Sequence, residues 1–174
     1  MATQKVLVLD ATTSLPAELT PNTTSTGGAD AGKVIALNGS GVLDSTLFPA
    51  GFGEASQVFP TSDNLAVAAL VNIYALATVP TARNANATDA TKPAQGFVIA
   101  ATTSPANATV YFPGQIVTGV SGLTVGAPVF LSASTSGAVT STAPSAAGNL
   151  VQQVGSALSA TSFVFQPMAG IIHG

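Results

Sequence analysis

Few side chains in this chain could do chemistry, and their spacing limits what that chemistry would be. The segment Gly27-Gly-Ala-Asp-Ala-Gly32-Lys33-Val34 matches a phosphate-binding P-loop as far as the lysine. Such a loop needs a Ser or Thr after the lysine to hold Mg²⁺, a buried strand before it and a helix after it. Here Val34 follows the lysine, Pro21-Asn-Thr-Thr-Ser-Thr26 precedes the glycines, and β-branched residues come next. A Gly-rich turn entering a strand explains the pattern. Asp10, Asp30 and Asp44 could in principle gather around Ca²⁺, a cation that takes oxygen ligands. Their spacing follows no EF-hand or nonapeptide repeat, and they read as solvated turn acids. His173, the single histidine, has no acid in its half of the chain and reads as a frayed terminal residue. Nucleophilic catalysis needs a base beside the nucleophile and a group that orients the base. The many Ser and Thr residues have neither nearby in sequence. With no cysteine, thiolate metal sites and disulfides are excluded. The expectation is a protein that is not an enzyme, with no cofactor and no metal.

The charge distribution points the same way. Every acid lies before residue 90, the bases are Lys5, Lys33, Arg83 and Lys92, and beyond Pro93 only His173 can ionise. Charged residues make up 6% of the chain, against about 25% in ordinary soluble domains. A net charge of −3 leaves no basic patch to release counterions, so nucleic acid is not an expected partner. The longest apolar stretch, Leu65 to Val79, is interrupted by Asn72 and Thr78 and stopped by Pro80. It falls short of the roughly 20 residues that span a bilayer, and no membrane segment is expected. The first ten residues do not have the pattern of a signal peptide, since their apolar run is short and ends at Asp10. At 47% hydrophobic the chain is too apolar for disorder. So apolar and so weakly charged a protein must cover most of its apolar surface. Burial against partners is one way; a compact β domain with a Ser, Thr, Asn and Gln surface is the other.

The elements that must position these residues are strands. Residues 1–58 read as an extended N-terminal arm: Lys5-Val-Leu-Val-Leu9 is strand-like, and Pro16, Pro21 and the polar tract Asn22 to Gly28 then break regular structure. Lys33 to Leu37, the turn Asn38-Gly39-Ser40-Gly41 and Val42-Leu43 predict a short hairpin, because Asn-Gly tolerates positive φ. Residues 59–174 read as a run of short strands punctuated by Gly, Pro, Asn and Ser. Candidates are Leu70–Tyr74, Pro80–Asn86, Gly96–Ala100, Thr109–Phe112, Gln115–Val120, Pro128–Leu131, Ala138–Thr140, Leu150–Ser156 and Ser162–Phe165. This spacing predicts an all-β fold, a small β-barrel or sandwich preceded by the arm. Leu65 to Leu76 is Ala-rich enough for a helix, but Val, Ile and Tyr favour a strand. Phe97-Val-Ile and Phe163-Val-Phe lack apolar/polar alternation and predict strands covered on both faces, one cover being a neighbouring subunit.

The segment Gly28-Ala-Asp-Ala-Gly-Lys-Val-Ile-Ala-Leu-Asn-Gly-Ser-Gly-Val-Leu-Asp-Ser-Thr-Leu-Phe-Pro49 resembles one found in virion proteins of tailed bacteriophages, both head-decoration and fibre proteins. Leu70–Tyr74, Ala87–Val98, Thr109–Phe112, Gly119–Gly126 and Val151–Ala160 are similar to phage capsid-associated β modules. There is no long repetitive shaft and no aromatic-rich tip of the kind fibres carry. The resemblance therefore implies a cement or decoration protein on the capsid exterior, made in the host cytoplasm. Its implied partners are the major capsid protein and further copies of itself in a homotrimer. A fibre or receptor-binding protein is the alternative. On this reading Val34, Ile35, Leu37, Val42, Leu43, Leu47 and Phe48 are arm contacts with the capsid. Phe97, Tyr111, Phe112, Phe130, Phe163 and Phe165 fill the core or a subunit interface.

Overall fold

The computed structural model describes residues 5–9, 12–48 and 55–174. It is all-β: among the described residues there is no α-helix, only 3₁₀ turns at Gly28–Asp30 and Ser45–Leu47. The chain divides into two units, residues 1–53 and 54–174.

In the first unit, β1 (Val6–Leu9) and β2 (Pro16–Leu19) form an antiparallel hairpin with Val6 opposite Leu19 and Leu9 opposite Pro16. Pro16, expected to break regular structure, instead opens β2, a position where the missing N–H costs the ladder nothing. The hairpin expected around Asn38-Gly39 is replaced by a tight turn. Asn38 Oδ1 accepts the N–H groups of Ser40 (2.9 Å) and Val42 (3.2 Å), and the Asn38 N–H donates to the Val42 carbonyl (2.8 Å). The side chain thus takes up main-chain donors that a strand ladder would use. Upstream, Asn22 N–H bonds the Val34 carbonyl and Ala36 N–H bonds the Asn22 carbonyl, an isolated parallel bridge between Asn22 and Ile35.

The second unit holds two five-stranded sheets and a two-stranded one. Strands β3 (Ser56–Pro60), β4 (Leu70–Leu76), β5 (Val79–Asn84), β6 (Gly96–Phe97) and β7 (Asn107–Tyr111) lie in the order β3-β7-β6-β4-β5, every pair antiparallel. Its two edges come back together. Thr61 and Ala82 form a parallel bridge, and the Ser62 N–H donates to the Ala82 carbonyl at 3.0 Å. The sheet thereby curls into a small barrel around Phe59, Val71, Ala82, Val98 and Val110. Strands β8 (Ile116–Thr118), β9 (Pro128–Leu131), β10 (Val139–Thr140), β12 (Gln153–Ser159) and β13 (Ser162–Phe165) make the second sheet, in the order β10-β9-β12-β13-β8. Beside it, β11 (Leu150–Val151) pairs with β14 (Ile171–Ile172). The larger core joins Leu70 and Phe97 of the first sheet to Val117, Val129, Leu131, Val154, Phe163 and Phe165 of the second.

Three expectations change here. Because β3 pairs along its whole length with β7, residues 56–58 belong to the second unit and not to the arm. Phe97 and Val98 are indeed covered on both faces, but the chain supplies both covers. Phe97 enters the larger core and Val98 the barrel interior. Ser162 to Phe165 does alternate: Phe163 and Phe165 are buried while Ser162 and Val164 are half-buried. The ambiguous Leu65–Leu76 segment is a strand from Leu70 onward.

Candidate interaction surface

The first unit contains no buried apolar side chain among its described residues. Its order comes instead from polar clips. Asp30 is the hub of one of them: Oδ1 accepts from Asn22 Nδ2 (2.6 Å) and Lys33 Nζ (2.7 Å), and Oδ2 from the Thr26 N–H (2.6 Å) and hydroxyl (2.8 Å). Lys33, then the two Thr26 donors, hold the Asp30 carboxyl well below the usual carboxylate range. A second clip is smaller. Asp44 Oδ1 accepts the Thr46 hydroxyl and N–H, which lowers its pKa, and Thr46 Oγ1 accepts the Ser25 N–H at 2.8 Å. These clips fold the loop without consuming its apolar side chains.

The apolar residues consequently face outward. Ile35, Leu37 and Val42 are 55%, 58% and 54% exposed, Leu43 and Phe48 are also exposed, and Val34 and Leu47 are half-buried. The hairpin adds to this. Val6, Val8, Ala17 and Leu19 share one face, while Leu7 and Leu9, each 70% exposed, share the other. Sequence reasoning assigned no contact role to Leu7 and Leu9. The continuous apolar run Val6-Leu7-Val8-Leu9 was the available signal, but its partner strand begins at a proline.

The groups considered for chemistry have structural employment. Lys33, the P-loop-like lysine, is paired with Asp30, and the Gly-rich segment forms a 3₁₀ turn with no helix after it. Asp30 and Asp44 are each bound by local donors, Asp10 lies outside the described residues, and no group of three or more His, Asp or Glu among the described residues could hold a metal ion. His173 is not frayed: its N–H bonds the Asn149 carbonyl and its carbonyl accepts the Gly148 N–H, both at 2.8 Å, which anchors the chain end beside β11.

In the second unit, Phe97, Phe163 and Phe165 are fully buried, and Tyr111, half-buried, stacks on Phe97 with centroids 5.6 Å apart. Phe112 is half-buried against the barrel core and meets Phe59 edge-on at 6.4 Å. Phe130 lies between buried Val129 and Leu131, and alternation puts it on the outer face of the second sheet, half-buried. That face also carries Ile116, paired with Val164, and the exposed Leu158. Interior polar groups are satisfied. Asn72 donates to the Pro93 carbonyl and Gln95 and accepts from Arg83 Nε, while Gln152 bridges Ala94 and Met168. Among the described residues no buried side-chain nitrogen or oxygen lacks a partner.

No protein-family model matches the chain, and neither a curated protein nor a solved structure matches it. The architecture is all-β, with two five-stranded sheets in the second unit and an N-terminal unit whose described apolar residues lie at its surface.

Proposed function

We propose that this chain is a structural protein of a tailed-bacteriophage virion that binds the outside of the capsid and cements the shell. The observation that carries the proposal is the first unit. It displays Ile35, Leu37, Val42, Leu43 and Phe48 at its surface and has no buried apolar side chain among its described residues. A segment held by polar clips, with its apolar residues outward, suits docking on a larger surface. A standard interface takes about 800 Å² from each partner, and an ordered apolar segment supplies such contact from few residues. These same residues lie in the stretch that resembles phage virion proteins. The scarcity of charge fits as well, since apolar interface cores are depleted of charged residues.

The mechanism is mass action. A protein that binds the assembled lattice and not the free subunit lowers the free energy of the shell by an amount that grows with the logarithm of its free concentration above Kd. Copies would associate through charge-free surface of the second unit, the face of Ile116, Phe130, Leu158 and Val164 being available for this. Binding of the purified chain to expanded capsid shells, followed by sedimentation, tests the proposal. Saturable binding and a raised shell-disruption temperature are expected, both lost when residues 1–53 are removed. Absence of binding, or images placing the chain at the tail, would overturn it.

A further inference from the structure

We propose that Asn38 is a self-modifying residue that converts to aspartate and isoaspartate through a cyclic imide formed with the Gly39 nitrogen. Asn38-Gly39 is the only Asn-Gly pair in the chain. Gly39 is exposed, and no atom beyond its chain neighbours lies within 4 Å of where a side chain on it would begin.

The hydrogen bonding of the turn singles out the reacting atoms. The N–H groups of Ser40 and Val42 donate to Asn38 Oδ1, and the Gly41 N–H donates to the Asn38 carbonyl at 2.9 Å. The Gly39 N–H, whose nitrogen closes a five-membered ring when it bonds Asn38 Cγ, makes no hydrogen bond to the described residues. Asn38 Nδ2, the leaving atom, makes none either. Two donors on Oδ1 polarise the Cγ–O bond and stabilise the oxyanion that forms there.

The step balances with water alone. Hydroxide removes the Gly39 amide proton, the nitrogen attacks Cγ, and the Cγ–Nδ2 bond breaks as ammonia leaves with a proton from water. A second water opens the ring. Attack at Cγ gives aspartate, and attack at the main-chain carbonyl gives isoaspartate, with one extra methylene in the backbone between Leu37 and Val42. Either product adds one negative charge, taking the net charge from −3 to −3 − 1 = −4. This chemistry is independent of whether the chain binds a shell.

Ageing the purified full chain in mildly alkaline buffer, then mapping the tryptic peptide that runs from Val34 to Arg83, tests the proposal. The expected result is the mass increment of amide-to-acid conversion at Asn38, with an isoaspartyl fraction, at a rate proportional to hydroxide concentration. Gly39 does not sit in the left-handed region, so Gly39→Ala should keep the fold and lose the conversion. A free peptide spanning residues 34–44 sets the reference, and the folded chain should convert at least as fast. An unmodified Asn38, a Gly39→Ala chain converting at the original rate, or a folded chain much slower than the peptide would overturn the inference.

Discussion

The ring of Phe97 meets the ring of Phe165 edge-on, with centroids 5.5 Å apart and planes at 65°. Phe97 stands on β6 of the first sheet and Phe165 on β13 of the second, so this pair ties the outer wall of the barrel to the facing sheet. Both rings are fully buried. Phe97→Ala should therefore destabilise the second unit by about 3–5 kcal/mol, the range for emptying a packed aromatic site. Phe130→Ala, on the outer face and half-buried, should cost about 1 kcal/mol. Urea unfolding of the two variants checks the contrast. Equal losses would mean that Phe130 is as deeply packed as Phe97.

The turn joining β4 to β5 is built from the wrong residues for its geometry. Leu76 pairs with Val79, and the two residues between them, Ala77 and Thr78, have φ of 47° and 76°. Two-residue hairpin turns with positive φ at both centres favour Asn-Gly, whereas the left-handed region costs other residues about 1–2 kcal/mol each. Replacing Ala77-Thr78 with Asn-Gly should raise stability by about 1 kcal/mol after the extra chain entropy of glycine is counted. A thermal melt that does not rise, or that falls, would show that the tip is not strained.

This turn illustrates what could be read in advance and what could not. Pro128–Leu131 and Ser162–Phe165 were legible to the residue, because each is a β-branched or aromatic run bracketed by turn formers. Strands β2 and β3 were not, since each carries a proline at one end and proline reads as punctuation. β14 is two residues long, too short for any periodicity. The Asn38-Gly39 signal pointed to a hairpin, but the Asn38 side chain captured the Ser40 and Val42 donors itself. Closure of the barrel rests on Thr61 meeting Ala82, a contact between chain segments that no local pattern encodes. The same closure explains why Phe97-Val98 needs no neighbouring subunit. The exposed apolar residues of the arm were legible as apolar, but only the Asp30 and Asp44 clips show how they stay outside.

Gly155 offers a sharper packing test. A Cβ added there would fall onto the main-chain carbonyl of Val164 on the paired strand β13 and crowd the Phe163 ring. Backbone cannot yield as a flexible side chain would. Gly155→Ala should thus destabilise by about 1–3 kcal/mol, the usual cost of overpacking, with some added backbone strain from its φ of 159°. Gly148→Ala is not a fair control, because Gly148 has φ of 82°. Gly28→Ala, with ordinary φ and open space around it, is. Equilibrium unfolding should separate the two variants, and indistinguishable midpoints would refute the close approach of β12 to β13.

The Asp30 hub should make the first unit sensitive to strong acid and not to mild acid. In an unfolded chain an aspartate titrates near pH 4 (about 3.9). In the folded loop, Lys33 and the Thr26 donors depress that value. A depressed folded pKa contributes stability that is complete above the unfolded value and disappears as pH falls through the folded one. The Thr26 amide, bound to Asp30 Oδ2, should therefore stay protected from hydrogen exchange through mildly acidic solution and open only in strong acid. Asp30→Ala should expose it at every pH, together with the Asn22 amide that bridges to Val34, while the Phe97 and Phe165 core of the second unit unfolds as before. Exchange at Thr26 that is unchanged in Asp30→Ala would remove Asp30 from its place as the organiser of the loop, and with it the account of how Ile35 and Leu37 are held at the surface.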